Sequence, residues 1–168
     1  MITGLFAMYG GIIGKSTYII GELEVVNRFG FAKESIMSII DKLHLMKYKN
    51  IAIINQPSDY EVFVEQKTAL TGEHDAIFIF IETLDEMVQH TNRIISEQHL
   101  LEKGYLFFAY PKKGNKRYST FVHRDDIFPA LHVGEDGYVG ESDLKFSRMV
   151  SMDDVFTVVG LKREQKKQ

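Results

Sequence analysis

Three short apolar runs constrain this chain more than any other feature: Ile51-Ala52-Ile53-Ile54, Ala76-Ile77-Phe78-Ile79-Phe80-Ile81 and Tyr105-Leu106-Phe107-Phe108-Ala109-Tyr110. A strand with one wet face alternates polar with apolar residues. None of these runs does, so each must be covered on both faces, as in a parallel sheet packed between helices. The spacing leaves room for a connection between successive runs, and parallel neighbours require one.

The connection between the second and third runs reads as a helix. Thr83 and Glu86 form a T-x-x-E capping box, in which the two side chains satisfy backbone N–H groups that the first turn leaves without partners. Leu84, Met87, Val88, Thr91, Ile94 and Ile95 then recur on one face at helical spacing. Gly104 is expected to stop the helix in a left-handed conformation. Residues 76–81 and 105–110 are therefore predicted to be adjacent, buried, parallel strands. A second helix fits 33–46, with Ile36, Ile39, Ile40 and Leu43 on one face, while 61–70 can be read as strand or short helix. Asp126-Ile127-Phe128 predicts a short helix that Pro129 interrupts, and Gly134, Gly137 and Gly140 mark a loop. The segments 145–150 and 155–162 flank the polar Ser151-Met152-Asp153-Asp154, which predicts a closing antiparallel hairpin.

The fold class is then α/β: three layers, Rossmann-like, with a mostly parallel sheet and an antiparallel C-terminal hairpin. A chain of 168 residues fits one such domain. The expected division is a glycine-rich extension over 1–32, a single α/β domain over 33–162 and a charged tail over 163–168.

Composition excludes several function classes. There are no cysteines, so disulfide frameworks, thiol nucleophiles and Cys-based metal sites are ruled out. A formal charge of -3 offers no global attraction for nucleic acid. The longest apolar run, 76–81, is far shorter than the roughly 20 residues a spanning helix needs. No basic segment leading into an apolar stretch marks a secretory signal, and the expected location is the cytoplasm.

Two segments invite chemistry. Gly10-Gly11-Ile12-Ile13-Gly14-Lys15-Ser16-Thr17 resembles a phosphate-binding loop, but G-x-x-x-x-G-K-[ST] requires glycine at the position of Tyr9, so a plain glycine-rich turn is expected. The second is basic. Lys112, Lys113, Lys116, Arg117 and Arg124 crowd into a stretch with no acid, directly after the third run. Ligands of open α/β sheets bind beyond the carboxyl ends of the strands, so this loop is a candidate anion site, with His123 beside it. The six histidines show no metal-ligand spacing, and no metal is expected.

The run through Asn55-Gln56-Pro57, the strand opening at Asp75, the Tyr110-Pro111-Lys112-Lys113 motif and the closing hairpin together resemble an uncharacterised bacterial domain family. Its sheet looks like a reduced class I methyltransferase. The resemblance covers residues 42–162. It implies a methyltransferase-like fold and assigns no catalytic residue and no cofactor. In active methyltransferases a glycine-rich loop after the first strand approaches S-adenosylmethionine, and an acid ending the next strand holds the ribose. Here that turn, Asn55-Gln56-Pro57-Ser58-Asp59, has no glycine, which counts against the usual cofactor pose, and Glu82, which ends the 76–81 run, is acidic but belongs to a later strand.

The leading expectation is a non-catalytic binding or scaffold domain that accepts a small anionic ligand at the carboxyl edge of its sheet, through Pro57, Glu82, Lys112, Lys113, Lys116, Arg117, His123 and Arg124. One alternative is an S-adenosylmethionine- or nucleotide-dependent transferase with an altered cofactor loop. Another is a module that forms a homodimer through its glycine-rich segment or an exposed sheet edge.

Overall fold

The computed structural model describes residues 39–60 and 69–166. The glycine-rich segment with Lys15, the 1–32 extension and most of the ambiguous 61–70 segment lie outside the described residues.

The three apolar runs form three parallel strands, β1 (Ile51–Ile54), β2 (His74–Phe80) and β3 (Leu100–Pro111), paired in the order β1-β2-β3. The hairpin follows as β4 (Leu144–Ser151) and β5 (Phe156–Arg163), with β5 inserted antiparallel between β3 and β4. The sheet order is β1-β2-β3-β5-β4. The expected α/β class, parallel core and antiparallel closing hairpin are all present.

Side chains on each strand divide between two cores. Ile53, Phe78, Phe80, Phe107 and Phe156 pack on one face with Ile39, Leu43 and Tyr60. Ile77, Ile79, Leu106, Phe108 and Val159 pack on the other with Met87 and Ile94 of α1 (Leu84–Glu97) and Ile127 of α2 (Arg124–Ala130). Because neighbouring residues of a strand face opposite ways, only a run apolar at every position fills both cores.

The start of α1 is the one read from sequence. Thr83 Oγ1 accepts from Glu86 N–H at 3.3 Å. Glu86 Oε2 accepts from Glu82 N–H at 2.8 Å, one residue before the cap. Its end differs. Gln98, at φ 53, is the left-handed cap. Gly104 lies instead within β3, where a Cβ would come within 2.9 Å of the Asp75 carbonyl oxygen and 2.8 Å of that of Leu101. Its glycine serves close strand approach at a register shift between β2 and β3. The early helix also ends sooner than 46: residues 39–43 are helical, and His44 at φ 52 breaks the run before a 3-10 turn over Leu45–Lys47. Pro129 does not interrupt α2, which continues to Ala130.

Candidate functional site

All three parallel strands end at the same edge, and three loops meet there. After β1, Asn55 takes the left-handed conformation at φ 55. That conformation is the one glycine supplies most readily, and asparagine is among the few other residues that adopt it at modest cost. Pro57 C=O then accepts from Tyr60 N–H at 2.9 Å, closing a tight turn. Gln56 Nε2 donates to the Tyr60 carbonyl.

After β3 the basic loop is organised by Asn115. Its Oδ1 accepts from the N–H groups of Arg117 (3.1 Å) and Tyr118 (2.7 Å), and its Nδ2 donates to Lys112 C=O at 2.9 Å. The third loop is the hairpin turn. Asp153 Oδ1 accepts from Val155 and Phe156 N–H, both at 2.7 Å, in an Asx turn.

Cross-links fasten the three loops together. Arg117 forms a two-pronged pair with Asp59, with Nη2 donating to Oδ1 at 2.6 Å and Nη1 donating to Oδ2. The pair holds the Asp59 carboxyl below its usual range. The guanidinium also lies over the Tyr60 and Tyr118 rings, at 5.5 and 5.4 Å. Tyr60 Oη donates to Asp153 Oδ2 at 2.5 Å. Burial, reinforced by that carboxylate, pushes the Tyr60 hydroxyl far above its usual value. Lys112 Nζ donates to Asp153 C=O at 2.7 Å.

Two crevices open at this edge. The smaller, about 140 Å³, lies over the ends of β1 and β2, between Asn55, Pro57, Ile81, Glu82 and Tyr118. Phe80 and Phe156 also line it. Glu82 is exposed and pairs with no cation among the described residues. The larger, about 310 Å³, lies beyond β3 and is lined by Tyr110, Lys112, Lys113, His123 and Arg124.

The structure therefore divides the residues singled out from sequence. Pro57 and Glu82 line one crevice; Lys112, Lys113, His123 and Arg124 line the other. Lys116 is exposed and lines neither, and Arg117 is committed to Asp59. His123 Nδ1 caps α2 by accepting from Asp125 N–H at 3.4 Å. Tyr60 and Asn115 carry no expectation from sequence, and Asn55 and Asp153 are read there only as parts of turns. A local signal exists for Asn115 and Asp153, since Asn and Asp beside turns are the residues that bond to nearby backbone.

No protein-family model and no curated protein matches the chain. Solved structures do. The chain is similar to the N-methyltransferase NodS of Bradyrhizobium japonicum WM9 in complex with S-adenosyl-L-homocysteine, with a TM-score of 0.52 and 13% identity over 83% of this chain and 91% of that one. The fold is methyltransferase-like. Magnesium protoporphyrin IX methyltransferase of Synechocystis PCC 6803, solved with bound S-adenosylmethionine, aligns at a TM-score of 0.48 and 11% identity, over 78% of this chain and 79% of that one.

The likeness to NodS corrects the leading expectation of a non-catalytic binding or scaffold domain, because the fold this chain shares is that of a methyltransferase solved with S-adenosyl-L-homocysteine. The physical reason for the error lies in the β1 turn. A missing glycine counted against the cofactor, yet Asn55 makes the left-handed turn without one.

Proposed function

We propose that the chain is an S-adenosylmethionine-dependent methyltransferase whose cofactor binds over the carboxyl ends of β1 and β2. The observation that carries this reading is the smaller crevice itself, which sits where ligands of open α/β sheets bind, in a chain that shares its fold with NodS.

The lining fits the nucleoside end of that cofactor. Ribose hydroxyls are donors, and the Glu82 carboxylate is an acceptor with no competing cation among the described residues. A purine needs a flat apolar wall, and Phe80, Phe156 and Tyr118 are aromatic. Burial raises the Tyr118 hydroxyl, so its ring stays uncharged. The left-handed turn at Asn55 brings backbone rather than a helix or strand to the crevice mouth. At about 140 Å³ the crevice is smaller than a typical closed ligand pocket of roughly 300–1,000 Å³, so it takes one end of the cofactor, not all of it. When bound, the cofactor supplies an electrophilic methyl group. The chain's part is to hold the nucleoside at Glu82 and to keep the edge rigid through the Asp59–Arg117 and Tyr60–Asp153 links.

A cytoplasmic, bacterial protein is part of the same proposal, in keeping with the bacterial domain family that its motifs resemble. No helix among the described residues is long and apolar enough to cross a membrane. Calorimetric titration with S-adenosylhomocysteine tests the function. At 100 times its Kd the ligand should add about 2.7 kcal/mol of stability, and Glu82→Gln should weaken binding by about 1.5–3 kcal/mol. No saturable binding by the wild-type protein ends the proposal.

A further inference from the structure

Among the described residues, Lys112, Lys113 and Arg124 line the larger crevice, and no carboxylate does. Of the nearby acids, Asp153 is committed elsewhere and Asp125 competes for the crevice from outside its lining. Asp153 is occupied by Tyr60 and by the Val155 and Phe156 N–H groups. Asp125 sits outside the lining, where its carboxylate touches Arg124 Nε at 3.3 Å.

The cations are also under-used. Lys113 pairs with no carboxylate among the described residues. Lys112 gives one of its three donors to the Asp153 carbonyl and keeps two. At the crevice floor Tyr110 is 2% exposed, and its hydroxyl donates to Met149 Sδ at 3.5 Å, a weak acceptor for a buried donor. Burial pushes that hydroxyl up to about 12, so it remains a donor at neutral pH. Thr157 adds a second hydroxyl to the same wall.

We propose that this crevice binds the oxyanion, a phosphate or carboxylate, of a small molecule, held by Lys112, Lys113 and Arg124 with Tyr110 donating from the floor. Its volume of about 310 Å³ suits a molecule of small-metabolite size. One loop lines both crevices, giving Tyr118 to the smaller and Lys112 and Lys113 to the larger. The anion is therefore placed as the anchoring end of the methyl acceptor, and that assignment rests on the methyltransferase reading. The anion site itself does not.

The test is titration of the full chain with inorganic phosphate and, separately, acetate, at constant ionic strength and without cofactor. Saturable binding with a Kd on the order of 1 mM is expected for at least one of them. Lys113→Ala with Arg124→Ala should weaken it about tenfold or more. Asp125→Asn removes the competing acid and should strengthen it severalfold, a change that misfolding cannot mimic. Absence of saturable binding, or a Kd unmoved by both variants, overturns the proposal. Cosedimentation with phosphatidylglycerol vesicles should be nil, and its presence would overturn the small-molecule assignment. Parallel titration with S-adenosylhomocysteine separates the two readings. Phosphate binding without it retires the methyltransferase and keeps the anion site, and the reverse result retires the site alone.

Discussion

Strands β2 and β4 belong to one sheet and are held by different forces. β2 is buried at every position but Asp75, and the Phe78 and Phe80 rings meet at a tilt within it, 5.2 Å between centroids. β4 is fully buried only at Leu144. Its side chains reach outward instead: Arg148 Nη1 donates to Lys42 C=O at 3.3 Å, and Lys145 lies over the Tyr138 ring. The comparison teaches that the central strand β2 is specified by side-chain volume, whereas the edge strand β4 is specified by polar reach. The hairpin also delivers Asp153 to the edge where the crevices lie.

That contrast can be broken most directly at Phe78, which is wholly buried and packs against Phe107 at 6.1 Å between ring centroids. Phe78→Ala should cost about 3–5 kcal/mol in urea unfolding. Met149→Ala on the half-exposed β4 should cost clearly less, and equal losses would erase the distinction. Gly160 marks the boundary between the parallel strands and the hairpin. A Cβ there would meet the Phe107 ring at 3.0 Å and the Arg148 side chain at 3.4 Å. Gly160→Ala should therefore destabilise by about 1–3 kcal/mol, with Phe107→Leu relieving part of the loss. Thr83→Ala removes one cap bond from the helix covering the parallel half and should lower stability by about 1 kcal/mol. An unchanged denaturant midpoint would mean that the Glu86 carboxylate alone holds this end.

The smallest effect belongs to the edge. Arg117 and Asp59 side chains are 34% and 39% exposed, so Arg117→Ala should cost only about 0.2–1 kcal/mol. Its pH signature is sharper than its size. Because Arg117 lowers the folded-state value of Asp59, the pair stabilises above the ordinary aspartate pKa of about 3.9, and that contribution is lost as pH falls through the depressed value. Thermal melts from neutral to acid pH should show Arg117→Ala losing less on acidification than the wild type. Identical acid slopes would remove the pair from the account.

What could be read from sequence was local. Continuous apolar runs identify doubly buried strands, and Thr83 with Glu86 identifies a helix start, because each signal is complete within a few residues. Gly104 misled because a glycine after a helix serves equally as a stop or as a place where backbones approach, and only the neighbouring Asp75 carbonyl decides. The edge was half legible. A basic loop after a strand points to the carboxyl end, but that Arg117 would be spent on Asp59 depends on a partner 58 positions away. Tyr60 and Asp153 are 93 positions apart, beyond any pattern in either segment. Asn55 was discounted for not being glycine, although its left-handed turn does glycine's work.

The strand order carries a consequence for how the protein is made. β5 enters the sheet between β3 and β4, both of which leave the ribosome before it. Until residues 156–163 emerge, the apolar edge of β3 has no neighbour on that side, and β4 pairs only through its first residues, with 137–139. Roughly fifty residues separate the end of β3 from the end of β5, an interval on the order of seconds at ordinary translation rates. For those seconds a nascent chain displays an open, hydrophobic sheet edge of the kind that recruits other chains. Pausing between β3 and β5 therefore favours aggregation, and the same sheet closes the hazard as soon as its last described strand slides into place.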